Sequence, residues 1–205
     1  MKLYGENNPA PNPRKVRIFL AEKGIEVEQV RVPIMKGAHK APEFLKKNPL
    51  GQLPVLELDD GTCIAESIAI CRYFEELQPE PALFGGDAKS RALTEMWLRR
   101  VEFRLWSPMS QVWRHADPRT AAVVGHQYKE FGESNRAVVE GAMRWLDSEL
   151  ADGRAFIAAG DYSIADIALL CGIDFAKFVN MEMPEDAARL RAWHARVSSR
   201  PSAGA

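Results

Sequence analysis

Between residues 78 and 87 the chain reads QPEPALFGGD, and apolar residues recur with a different period on either side of it. This Pro- and Gly-rich stretch reads as a linker. Before it, short strand-like and helix-like segments alternate; after it the period is helical almost throughout. At 205 residues the chain can hold one large domain or two small ones. The switch of period predicts a two-part organisation: a domain over 1–78, a linker over 79–87 and a helical domain over 88–205.

In the first part, Lys2 to Tyr4 reads as a short strand and Pro13 to Lys23 as a helix, with proline near its first turn and Gly24 just past its end. Glu26 to Val32 alternates and is β-branched at Val27, Val30 and Val32. Ala41 to Lys47 predicts a short helix. Two strands flank the Asp59-Asp60-Gly61 turn, and Ile68 to Leu77 is amphipathic. The order β-α-β-α-β-β-α is that of an α/β thioredoxin-like domain.

In the second part, Asp87 is placed to cap a helix whose stripe includes Leu93, Trp97, Val101 and Leu105, with Pro108 expected to kink or interrupt it. Asp117-Pro118 predicts a fresh start for a helix reaching about Leu150, with Phe131, Val138, Trp145 and Leu146 at helical spacing. Ser163 and Asp166 have the spacing of a capping box, and Tyr162 and Ile167 that of a hydrophobic staple. The helix behind them, IADIALLCGIDFAKF, is apolar nearly all round and belongs in a core. A last helix, from Pro184 to about Ser199, packs Leu190, Trp193 and Val197.

A net charge of −1 gives no bulk electrostatic reason for nucleic acid or an acidic membrane as partner. No apolar run approaches the roughly 20 residues of a membrane span, and MKLYGENNPAP lacks the apolar core of a signal peptide. Cys63, Cys71 and Cys171 are odd in number and form no C-x-x-C pair. They read as free thiols in a reducing compartment, so the expected location is cytoplasmic. No metal-ligating cluster is expected.

The most informative stretch for function is NPLGQLPVLELDDGTCIAESIAICRYFEELQ, residues 48–78. A Leu53-Pro54 step enters an apolar strand, and a second strand ends in Glu66-Ser67 at a helix start. Such a start leaves backbone N–H groups for a carboxylate, and a proline in a loop before a strand is a place where a cis bond can be held. Together with MKLYGENNPAPNPRKVRIFLAEKGIEVEQVRV, GAHKAPEFLKKNPLGQLPVL and the S-x-A-D motif in DYSIADIALL, these segments resemble the cytosolic glutathione S-transferases over nearly the whole chain. The loop Ala10-Pro11-Asn12-Pro13-Arg14-Lys15-Val16 is similar to the Thr-Pro-Asn-x-x-Lys pattern of bacterial nu-class proteins; other features are theta-like.

The resemblance implies a glutathione transferase fold, an enzyme using glutathione as co-substrate without a metal, a homodimer, and a role in detoxification. Its second substrate would be an apolar electrophile or a disulfide. Alternative readings are a glutathione-dependent disulfide or hydroperoxide reductase and a non-catalytic binding or regulatory protein. Pro54 is expected to be cis, with the Leu53 main chain pairing the cysteinyl backbone of glutathione. Glu66 would meet the γ-glutamyl ammonium and Ser67 its carboxylate, while His39, Lys40 and Gln52, with Lys36 as a further candidate, stand where the glycyl carboxylate is gripped. The position that matches a catalytic Ser or Cys is Ala10, which has no side-chain donor. Thiolate stabilisation would fall to Asn12 and to first-turn N–H groups at Arg14 and Lys15. Tyr4, the nearest hydroxyl outside the loop, reads as core. Trp106, Met109 and Trp113, near the Pro108 kink, are candidates for the second-substrate pocket, and Arg100 and Arg104 for meeting an acidic group. Trp97 and Phe103 are candidates for the dimer contact.

Overall fold

A computed structural model describes residues 1–7, 9–158 and 160–205; Asn8 and Ala159 lie outside the described residues. The chain divides into two compact units, Met1–Leu83 with Pro201–Ala205, and Phe84–Arg200. The last five residues thus group with the first unit, whereas the change of period assigned everything beyond 87 to the second.

The first unit follows the order β1 (Lys2–Gly5), α1 (Pro11–Lys23), β2 (Glu28–Arg31), α2 (Pro42–Leu45), β3 (Val55–Glu57), β4 (Cys63–Ala65), α3 (Ser67–Leu77). The sheet order is β2-β1-β3-β4. β1 and β2 are parallel, while β3 is antiparallel to both β1 and β4. This is the expected thioredoxin-like arrangement. Leu3, Val55 and Leu56 of the sheet and Val16, Ile18, Phe19, Ile70 and Phe74 of the helices are buried. Gly24 ends α1 in a left-handed conformation (φ 63°), returning its N–H to Leu20 and Ala21 carbonyls. Lys23, one residue earlier, is buried. Its ammonium donates to the carbonyls of Gln78 (2.7 Å), Pro79 (3.1 Å) and Pro81 (2.7 Å) and pairs with Glu75 at 2.5 Å. One side chain thereby ties the chain leaving α3 to the end of α1. Pro201–Gly204 forms a 3-10 turn, and the Arg14 guanidinium donates to the Ala203 carbonyl at 2.9 Å.

In the second unit Asp87 caps α4 (Ala88–Val101) through a reciprocal box with Ser90. Pro108 does not break the helix. Instead the backbone widens to π-helical turns at Glu102–Trp106 and Val112–Ala116 on either side of α5 (Ser107–Gln111). A widened turn relieves the clash of a proline ring with the carbonyl four residues back, and Ser107 N–H reaches back five residues to Glu102 O. The helix expected from Asp117 to Leu150 is split. A 3-10 turn, Pro118–Thr120, leads into α6 (Ala121–Val124), Gly125 turns the chain at φ 79°, and α7 runs Lys129–Glu149. Its core stripe is Gly132, Val139, Ala142, Met143 and Leu146; Phe131 and Val138, expected in that stripe, are half exposed. The shift by one residue follows from Gly132, where a Cβ would lie 2.6 Å from Ala116 N; only glycine lets the helix approach that backbone.

α8 (Ile164–Phe178) is buried at every residue from Ile164 to Ile173 and again at Phe175 and Ala176, as its composition predicts. Its Asp166 is fully buried. It accepts from Ser163 N–H (3.1 Å) and Oγ (3.0 Å), Ile157 N–H (2.8 Å) and Trp193 Nε1 (3.0 Å). Four donors offset the cost of burying a carboxylate. α9 (Ala188–Ser198) buries Leu190, Trp193 and Val197. Among the described residues no helix is long and apolar enough to cross a membrane.

Candidate functional site

The sheet register brings the separate sequence motifs to one edge. Val55 of β3 pairs with Ala65 of β4 in antiparallel register. Leu53-Pro54 directly precede β3 and Glu66-Ser67 directly follow β4, so both pairs leave the sheet at this one end. Val55 also pairs with Tyr4 of β1, so β1 runs out, and the loop to α1 begins, at that same end. Pro13 packs there so closely that a Cβ on Gly5 would lie 3.2 Å from Pro13 Cβ.

The Leu53–Pro54 bond is cis, as expected. Pro54 is buried and Leu53 half-buried, before the ladder begins at Val55. The turn before it is organised by Asn48, a buried residue that the motifs did not single out. Its Nδ2 donates to Gln52 O (2.9 Å) and its Oδ1 accepts from Leu50 N–H (3.2 Å). Gly51 adopts φ 57°, and a Cβ there would collide with His39 O at 2.7 Å and Lys40 Nζ at 2.9 Å. His39, Lys40 and Gln52 are therefore neighbours. Lys40 Nζ donates to Leu50 O at 2.9 Å, whereas Gln52 is exposed. His39 Nδ1 is buried with no hydrogen-bond partner among the described residues. Burial, and next the Lys40 charge, push the His39 imidazole below its ordinary pKa, which favours the neutral ring.

Glu66 has φ 69° and ψ 120°, a conformation that a non-glycine residue adopts only under strain, typically at functional sites. Its side chain makes no cap bond and is exposed. Ser67 is the first residue of α3 and only 7% exposed. A helix whose cap residue does not satisfy its own first turn presents those N–H groups to something else.

At the start of α1 the structure departs from expectation. The helix begins at Pro11, two residues early, with Ala10 as a cap that has no side-chain bond. Arg14 N–H is consequently spent on Ala10 O at 3.2 Å, and Lys15 lies deeper in the helix; neither is a first-turn donor. Because positions 11 and 13 are prolines, Asn12 brings the single backbone N–H of the first three helical residues. Asn12 is exposed, and its Oδ1 accepts from Lys15 Nζ at 2.9 Å. Tyr4, as expected, is no donor to this space: its hydroxyl donates to Glu57 at 2.6 Å, and that carboxylate also takes Lys47 at 2.6 Å.

The pocket candidates lie in the second unit. Met109 is fully buried. Trp106 and Trp113 are half-buried and both meet Phe175, stacked at 6.0 Å and edge-on at 5.6 Å between ring centroids. Trp106 Nε1 is spent on Ala168 O at 3.0 Å. Arg100 lies over the ring of Trp97 at 4.8 Å. Among the described residues no cluster of His, Cys, Asp and Glu could hold a metal ion.

Residues 1–76 match the family model for the glutathione S-transferase N-terminal domain, and 127–196 that for the C-terminal domain. The chain is 41% identical to glutathione S-transferase 2 of Saccharomyces cerevisiae, across 98% of this chain and 88% of that one. It is 31% identical to human glutathione S-transferase theta-2, across 91% and 76%. A crystal structure of Gtt2 from Saccharomyces cerevisiae superposes with a TM-score of 0.93 at 39% identity, covering 100% of this chain and 99% of the other. With the thioredoxin-like sheet, the cis-proline turn and the strained Glu66-Ser67 helix start already in place, the chain belongs to the cytosolic glutathione S-transferase superfamily.

Proposed function

We propose that this protein binds glutathione along the Leu53–Pro54 turn, stabilises its thiolate at Asn12, and transfers it to an apolar electrophile. The observation that carries the reading is the antiparallel register of β3 and β4, which brings the Leu53-Pro54 turn and the Glu66-Ser67 helix start to the sheet end where the loop to α1 begins. Leu53 offers main-chain groups as an added strand would require. Ser67 and the α3 N–H groups take the γ-glutamyl carboxylate and Glu66 its ammonium. His39, Lys40 and Gln52 face the glycyl carboxylate. A free cysteine-like thiol has a pKa of roughly 8.5, so one to two units of lowering, about 1.4 to 3 kcal/mol, suffices for activity at neutral pH. One hydrogen bond to a charged group contributes roughly 1.5 to 3 kcal/mol. The Asn12 amide and its N–H at the positive end of α1 are enough without a hydroxyl at position 10. Trp106 and Trp113 offer apolar ring surface to the second substrate. The protein works as a cytoplasmic homodimer.

The likeness of the Ala10–Val16 loop to the nu-class pattern favours a second reading, in which glutathione itself, and no enzyme thiol, reduces a small disulfide. Turnover of a chloronitrobenzene and of a small disulfide, assayed side by side with glutathione, separates the two. Conjugation faster than reduction is expected. Reduction alone would favour the second reading, and neither reaction, with glutathione still bound, would leave a binding protein.

A further inference from the structure

Asn12 and Lys15 are three residues apart on α1 and so share a helix face. Lys15 is 4% exposed although Asn12 is open to solvent. Lysines are rarely buried, because an ammonium out of water costs free energy unless its donors are satisfied. Here one donor is given to Asn12 Oδ1 at 2.9 Å.

That contact fixes the amide. The two ends of an asparagine amide are normally hard to assign, but an ammonium has three donors and no acceptor. The atom facing Lys15 is therefore the oxygen, and the Nδ2 donors turn away from it. Left alone, the amide could rotate and offer oxygen lone pairs to an anion, which would repel it. The ammonium charge also polarises the amide and strengthens what Nδ2 donates.

We propose that Lys15 is a positioning residue that locks Asn12 as a donor toward the glutathione sulfur. The inference rests on the assignment of Asn12 made above. The test is the titration of the glutathione thiolate absorbance near 240 nm, on the full-length protein, in four variants: Lys15→Met, Lys15→Arg, Asn12→Ala and the Lys15→Met/Asn12→Ala double. Asn12→Ala and Lys15→Met are each expected to raise the midpoint by about one unit, and the double to raise it no further than either alone. Lys15→Arg, whose guanidinium also only donates, should titrate near the wild type. Calorimetric affinity measured well below the thiol pKa should be the same in all four, which a general loosening of the site would not give. A wild-type midpoint in Lys15→Met beside a shifted Asn12→Ala would overturn this proposal and leave Asn12 standing. Additive shifts in the double would also overturn it, because Lys15 would then act independently of Asn12. An unshifted Asn12→Ala would overturn both. Should Lys15→Met not fold, Lys15→Gln, whose amide can turn either end to Asn12, is expected to shift in the same direction; a wild-type midpoint there would be equally fatal.

Discussion

In the proposed site, Ser67 is a helix start reserved for a ligand. Serine before a helix is most often a cap, but here it is the first helical residue, and the cap residue, Glu66, makes no side-chain cap bond. Ser67→Ala should therefore weaken glutathione binding by roughly 1.5 to 3 kcal/mol while changing stability little. Calorimetry and thermal melting, run together, read both, and unchanged affinity would return Ser67 to a packing role. His39 gives a second residue-scale prediction. Burial and Lys40 lower its pKa in the fold, so its NMR titration should fall below the ordinary value of about 6.5. The sign follows: the stability of the neutral ring is complete above that value and is lost as pH falls through the folded pKa. The parts of the candidate site legible in the sequence, Leu53, Pro54, Glu66 and Ser67, were those whose local chemistry is peculiar in itself. Asn48 and Lys15 were not. Asn48 bonds two backbone groups that meet only when the turn closes, and the partner of Lys15 is defined by where α1 begins.

That beginning is an element-scale property. A helix starting at Pro13 would have left N–H groups at Arg14 and Lys15; starting at Pro11 it tolerates both prolines, since no N–H is needed in the first turn. The split of the Asp117–Leu150 segment was illegible for a similar reason. Gly125 is unremarkable until α6 must turn, and the Gly132 contact exists only against the folded backbone of Ala116. Asp147 also escaped notice. It lies on α7, but its Oδ1 accepts Arg189 N–H at 2.7 Å and Leu190 N–H at 2.9 Å, a remote cap for α9, whose own cap residue is Ala187. Burial pushes its carboxyl up. The N–H groups of Leu190 and Arg189 and the Arg189 guanidinium outweigh this, so the carboxyl is held below its usual range. Asp147→Ala should cost roughly 2 to 3 kcal/mol in urea denaturation near neutrality. A depressed carboxylate contributes fully above the unfolded pKa of about 4 and loses its contribution as pH falls through the folded value. The gap between wild type and variant should close on acidification; a gap independent of pH would mean that packing, not charge, is what Asp147 supplies.

At the scale of the whole molecule the two-part organisation was readable from periodicity, because strand and helix periods differ over tens of residues. The return of Pro201–Ala205 to the first unit was not, since it depends on the Arg14–Ala203 contact across 189 positions. The dimer prediction sharpens in the same way. Trp97 is 2% exposed and packs inside its own subunit, stacked on Trp145, so it is unavailable, whereas Phe103 is 69% exposed. Light scattering at micromolar concentration should give about twice 22.9 kDa, and Phe103→Glu should shift it toward one subunit. The central claim is that thiolate stabilisation here needs no hydroxyl and falls to Asn12. It is tested most directly by titrating the thiolate band of bound glutathione in the wild type, Asn12→Ala and Asn12→Asp. The account predicts a wild-type midpoint one to two units below roughly 8.5, a rise of about one unit in Asn12→Ala, and a larger rise in Asn12→Asp, where a carboxylate would repel the sulfur. Three superimposable curves would contradict it.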